Sequence, residues 1–97
     1  MHVLSQKCLR VFWRKYPPAK NPLQAWFTRT KKAKWESFED VKADFGAADQ
    51  VGRLTIFDIG GNKYRLIAQI HFNRGKVYVR HVLTHAEYDK NIWKRDL

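Results

Sequence analysis

Cysteine is nearly missing from this chain. Cys8 stands alone, so no internal disulfide can form and no thiolate cluster can hold zinc. Proline and glycine are sparse, three and five residues in 97, which excludes a low-complexity or linker-like composition. No apolar run is long enough to span a bilayer, and the opening MHVLSQKCLR lacks the apolar stretch of a signal peptide. Acidic residues are scarce as well: nine Asp and Glu face nineteen Lys and Arg, a formal net charge of +10. Such an excess on so short a chain implies an anionic partner, namely nucleic acid, an acidic membrane surface or an acidic protein. What is abundant is apolar side chain, 44% of residues with 14% aromatic, enough for one modest core. These limits describe a single domain over residues 1–97, expected to be cytoplasmic, with no metal, no cofactor and no membrane role.

Periodicity divides the chain into a helical first half and a strand-rich second half. Leu9, Phe12, Trp13 and Tyr16 fall at helical spacing after Ser5, a candidate cap, and Pro17-Pro18 ends that helix. Asn21 is placed as cap of a second helix, with Pro22 in its first turn. Leu23, Trp26, Phe27 and Thr30 line one face of it, while Arg29, Lys31, Lys32 and Lys34 crowd the opposite face and the end. A third helix fits residues 37–45, with Ser37 and Asp40 in a capping-box-like arrangement and Gly46 as the stop. Residues 47–52 read as a loop. Beyond it the period becomes two: strands over 53–59, 63–72 and 76–83, joined by turns at Gly60-Gly61-Asn62 and Asn73-Arg74-Gly75. Thr84 and Glu87 form a capping box that opens a final short helix. The fold class is α+β: N-terminal helices on one face of a three-stranded antiparallel sheet, four-stranded if His2-Val3-Leu4 adds an edge, and a short C-terminal helix.

Alternation on the longest strand separates Tyr64, Leu66, Ala68, Ile70 and Phe72, facing the helices, from Arg65, Ile67, Gln69 and His71. A two-residue turn at Arg74-Gly75 pairs Phe72 with Val77, Ile70 with Val79, Gln69 with Arg80 and Arg65 with Thr84. Under that register Arg65, Gln69, His71, Tyr78, Arg80 and Thr84 share the face away from the core, and His81 points into it. The far face is then polar and basic rather than a second hydrophobic core. Alternation alone equally fits a plain solvated face. The convergence of Arg65, Arg80, His85 and Tyr88 at the start of the last helix favours a phosphodiester site, because a helix N-terminus adds free N–H groups and a positive dipole end.

Cleaving RNA without a metal requires a group to take the 2′-hydroxyl proton, a group to hold charge on the phosphate and a group to protonate the leaving oxygen. Arginine suits the second task through its fixed planar donors. Histidine suits the first or third because its pKa lies near working pH, and tyrosine can carry a proton or stack on a base. Arg65, Arg80, His85 and Tyr88 are the candidate catalytic set. Lys63, Gln69, His71 and the cluster Arg29, Lys31, Lys32 and Lys34 are candidate RNA contacts. Plainer roles stand beside these: an Arg65–Asp58 surface ion pair, Tyr88 packed on the sheet, and Cys8 as a small buried residue of the first helix.

At FDIGGNKYRLIAQI and VYVRHVLTHAEYDK the chain closely resembles the HigB family of bacterial toxins, within the RelE/ParE-like superfamily. The resemblance extends to MHVLSQKCLRVFW, the Trp26 region and Trp35 with EDVKADF, nearly the whole chain. It implies a RelE-like α+β fold and the toxin of a type II toxin–antitoxin module, an mRNA endonuclease acting on translated messages at the ribosome without a metal. It also implies a HigA-type helix-turn-helix antitoxin, with operator DNA engaged only through the antitoxin complex. The Tyr64-Arg65-Leu66 run matches a RelE-type motif whose arginine contacts the scissile phosphate, and Tyr88 matches a terminal tyrosine of such toxins. The lysines that RelE-type enzymes carry on the preceding strand are absent, with Ile56 and Asp58 at those levels. The arginine before the final helix is absent too, so Arg80 or His85 takes its place. Histidine with a carboxylate, as in other HigB-type enzymes, favours His85 with Asp89 as a helper. The alternatives are a non-catalytic basic RNA- or ribosome-binding module and a ParE-like gyrase inhibitor.

Overall fold

A computed structural model describes residues 1–4 and 6–96, with Asp96 described in its backbone only. Three helices precede the main strands: α1 (Gln6–Lys15), α2 (Lys20–Lys32) and α3 (Phe38–Asp44). A 3-10 turn at Pro17–Ala19 separates the first two, as the proline pair dictates. The Ser5 cap lies outside the described residues. Asn21 is not a cap: α2 starts two residues earlier than expected, with Ala19 at the cap position, which places Asn21 and Pro22 inside the first turn. Ser37 does sit at the cap of α3 in extended conformation but its side chain caps nothing. Asp40 reaches back instead to the Glu36 N–H, 2.8 Å away.

Five strands form one sheet in the order β1-β5-β4-β3-β2: β1 (His2–Leu4), β2 (Asp49–Val51), β3 (Leu54–Ile59), β4 (Tyr64–His71) and β5 (Lys76–Thr84). The sheet is mixed rather than antiparallel throughout, because β1 pairs with β5 in parallel. β2 lies where a loop is predicted; three residues, two of them polar, are too short for alternation to register. Between β3 and β4, Gly60 and Gly61 adopt φ of 63° and 73°, a left-handed turn that glycine makes without steric cost. The helix α4 (His85–Asp89) follows β5 directly, and the capping box is complete, with Glu87 N–H to Thr84 Oγ1 at 3.2 Å and Thr84 N–H to Glu87 Oε1 at 3.0 Å.

The core lies between α1–α3 and the sheet, where Leu9, Phe12, Leu23, Trp26, Trp35 and Val41 meet Phe57, Ile59, Leu66 and Val77. The opposite face is not bare. Asn91 turns left-handed at φ 60°, and a 3-10 segment at Ile92–Asp96 brings Trp93 back across the sheet. There Trp93, 3% exposed, closes a second apolar cluster with Leu54, Ile56 and Ile67, flanked by Val51, Leu83 and Tyr88. The expectation of a purely polar far face is therefore corrected. Ile56 and Ile67 are cross-strand partners on that face, and a tryptophan beyond the last predicted helix covers them.

The register of β4 with β5 is also corrected. Residues Phe72–Arg74 form a 3-10 turn closed by Gly75 in left-handed conformation, so the connection is longer than a two-residue hairpin. Ile70 pairs with Val77 and Gln69 with Tyr78, two residues from the predicted partners, which keeps every side chain on its expected face up to Val79. A bulge then intervenes: Ala68 pairs with Val79 but Ile67 pairs with His81, leaving Arg80 as the extra residue. Beyond it the faces exchange. His81 and Leu83 join Ile67 and Arg65 on the far face, while Val82 and Thr84 turn to the side of Leu66 and Tyr64.

Candidate active site

Arg65 is the centre of the far-face cluster at the α4 end of the sheet. Its cross-strand neighbour on β3 is Asp58, and Nε lies 3.2 Å from the Asp58 carboxylate. Nη1 donates to the carbonyls of Asn62 at 2.9 Å and of Tyr64 at 3.2 Å. The Arg65 side chain is 13% exposed, so these contacts fix the guanidinium plane rather than decorate a mobile group. Nη2 carries the two donors that these contacts do not take.

Tyr88 lies beneath that plane. The guanidinium carbon of Arg65 is 5.3 Å from the centre of the Tyr88 ring, within cation–π range. Tyr88 also stacks on Trp93, with centroids 5.1 Å apart and planes 8° from parallel. Trp93 Nε1–H also donates to the Tyr88 carbonyl at 3.0 Å, so the indole both supports the ring and ties down its backbone. The phenol ring thus contacts both the arginine and the indole. Burial raises the Tyr88 hydroxyl above its ordinary 10.0, the Arg65 charge pulls it down, and the carboxylates of Asp49, Asp58 and Asp89 add to the rise. The hydroxyl keeps its proton at neutral pH. It can donate a hydrogen bond, but it is not a base.

His85 opens α4, held there by its backbone N–H on the Lys63 carbonyl at 3.1 Å. Its Nε2 lies 3.3 Å from Asp89 Oδ2 one helical turn on, with the two side chains 54% and 61% exposed. That exposure lets the imidazole exchange protons with solvent, while the carboxylate orients it. Such a pair can move a proton.

The remaining predicted residues are dispersed. Arg80 sits in the bulge, exposed, and lines a groove against α1 rather than entering the Arg65–Tyr88 cluster. The register error explains this, since the unbulged pairing would place Arg80 beside Gln69. His81, expected in the core, faces the same side as Arg65 through its pairing with Ile67. Lys63 is exposed in the turn before β4. Gln69 and His71 lie at the other end of the far face, where His71 meets Tyr78 edge to face at 5.1 Å. Arg29, Lys31 and Lys32 end α2, on the helical side of the sheet, and Lys34 follows it; Arg29 lies over the Phe45 ring at 5.3 Å. Cys8 is exposed, not buried. Trp93 is the residue that sequence reasoning missed. A large aromatic beside Ile92, beyond the last predicted helix, was the available signal.

The model of a family described as HigB_toxin, the RelE-like toxic component of a toxin–antitoxin system, matches residues 19–91. The chain belongs to the HigB toxin family. Among HigB relatives it is 37% identical over 92 residues to the mRNA interferase toxin HigB of Escherichia coli K12, covering 92% of this chain and 88% of that protein. The mRNA interferase HigB of Shigella flexneri gives the same identity and coverage. That of Escherichia coli O6:H1 strain CFT073 is 31% identical over 93 residues, covering 93% and 90%.

Proposed function

We propose that this HigB-family toxin is a metal-independent mRNA endonuclease that cleaves translated messages at the ribosome and so arrests growth. The relatives named as mRNA interferases support the activity. The observation that carries the site is the immobilised Arg65 guanidinium over Tyr88, a residue of the same short helix that carries the His85–Asp89 pair. In this reading the free edge of Arg65 holds a non-bridging oxygen of the scissile phosphate, where charge grows in the transition state. His85, oriented by Asp89, takes the proton from the 2′-hydroxyl as its oxygen attacks phosphorus. The bond to the 5′-oxygen breaks, leaving a 2′,3′-cyclic phosphate and a 5′-hydroxyl that regains a proton from the same imidazole or from water. Tyr88, kept neutral, donates to a phosphate oxygen or presents its edge to a base.

Lys63, Gln69 and His71 would follow the RNA strand along the far face. Arg29, Lys31, Lys32 and Lys34, on the other side, would meet ribosomal RNA rather than the message at the cut. A HigA-type antitoxin and a cytoplasmic site of action complete the reading. Primer extension on a defined message, with and without ribosomes, is the test. New 5′ ends that require both translation and Arg65 support the proposal, whereas toxicity without any new 5′ ends overturns it in favour of non-catalytic RNA binding.

A further inference from the structure

The edge of the sheet beside α1 is open. β1 covers the outer edge of β5 only from Lys76 to Tyr78, and among the described residues no strand pairs with that edge from Val79 to Thr84. An uncovered strand edge presents a row of backbone donors and acceptors and is a template for another extended chain. Next to it runs a groove of 560 Å³ between β5 and α1, lined by Val11, Phe12 and Val82 as apolar floor and by Lys7, Lys15 and Arg80 at its margins. Val11 is 54% exposed, one of the two exposed large hydrophobic residues recorded among the described residues. The bulge at Arg80 turns Val82 inward and leaves the arginine at the rim. Four of the ten residues of α1 are basic, Lys7, Arg10, Arg14 and Lys15, and none is acidic.

Two features point to a peptide rather than RNA: a backbone edge that pairs with amides, and an apolar floor that a phosphodiester chain would leave unmet. The basic margins specify its charge. We infer that this groove docks an extended acidic segment of the antitoxin as a sixth strand on β5, with alternate apolar side chains against Val11 and Phe12 and carboxylates against Lys7, Lys15 and Arg80. The inference rests on the toxin–antitoxin placement of the family and not on the endonuclease mechanism. α1 and the Arg65–Tyr88 cluster lie on opposite faces of the sheet, and the groove reaches the far face only through His81 and Leu83, so such a segment would sit at the margin of the catalytic face and act by anchoring the rest of the antitoxin.

Cys8 lines the groove and is the chain's one cysteine, so its alkylation by iodoacetamide reports occupancy directly. The probe is an acetylated, amidated octapeptide of alternating glutamate and valine, with an alternating lysine–valine peptide as control. The acidic peptide is expected to slow Cys8 alkylation severalfold and to protect backbone amides of residues 79–83 from hydrogen exchange, with affinity falling as salt rises. The lysine peptide does neither. The double variant Val11→Asp, Lys15→Glu weakens the acidic peptide at least tenfold while RNA cleavage by the same preparation is unchanged. Unaltered alkylation and exchange overturn the inference. So does protection confined to residues 65 and 88, or equal protection of the edge by a uridine octanucleotide, which would assign the groove to nucleic acid. Loss of cleavage with groove binding intact would fault the endonuclease reading alone.

Discussion

Trp93 is the residue whose removal tests the far-face architecture most directly. Its indole is 3% exposed, packed on Leu54, Ile56 and Ile67 and stacked on Tyr88. A buried indole removes about 200 Å² from water, which at ~25 cal/mol per Å² corresponds to about 5 kcal/mol. Residual burial in the unfolded chain and the Cβ retained by alanine reduce that to about 3 kcal/mol. The parallel stack and the bond to the Tyr88 carbonyl each add roughly 1 kcal/mol, and partial collapse of the terminal segment offsets some of it. Trp93→Ala is therefore expected to lower the free energy of unfolding by about 4 kcal/mol, a large share of the total for a domain of this size. Trp93→Phe keeps a ring against the sheet and should cost about 1.5 kcal/mol. Urea unfolding followed by circular dichroism measures both. A loss below about 1 kcal/mol for the alanine variant would refute the second apolar cluster. The stack would then not hold Tyr88 under Arg65.

Further outcomes follow from the same geometry. Arg65→Ala should restore growth under induced expression, and Arg65→Lys should fail to rescue activity because a point charge cannot keep both the carbonyl clamp and a phosphate; primer extension reads both. Tyr88→Phe leaves the stack in place. In the parent the folded state holds the phenol proton above pH 10.0, where the unfolded chain has released it, so stability falls as pH rises through that window. The phenylalanine variant should lose less over the same range, and equal slopes in urea titrations from pH 9 to 11 would contradict the burial of the hydroxyl. Thr30 is fully buried and its hydroxyl has no hydrogen-bond partner among the described residues, as is true of Trp26 Nε1 one turn earlier. Thr30→Val is expected to be neutral or to raise stability by about 1 kcal/mol; a loss above that in thermal unfolding would show an unrecognised partner.

Local signals in the sequence were legible where the physics is local. The proline pair, the Thr84–Glu87 box, the glycine turn before β4 and the alternation of Tyr64 to Ile70 each act within a few residues, and the helices and long strands follow from them. The edge strands β1 and β2 are three residues each and carry almost no pattern of their own; their place is set by the strands they join. The hairpin register failed for a definable reason. An apolar match between Phe72, Ile70 and Leu66 and Val77, Val79 and Leu83 satisfies alternation as well as the true pairing does, and a bulge leaves no periodic trace. The site shows the same division. Arg65 and Tyr88 meet because α4 follows β5 directly and the end of β5 pairs with the start of β4, whereas Trp93 reaches them through a left-handed asparagine that no spacing rule anticipates.

The single unpaired residue at Arg80 acts as a phase shift for everything that follows it. It decides which face of the sheet each residue of β5 after it presents, and so how α4 is rotated when it sets Tyr88 against Arg65. Substitution at this position keeps that phase, but loss or gain of one residue inverts it. Every chemical group would survive in the sequence, and the active face would be assembled inside out.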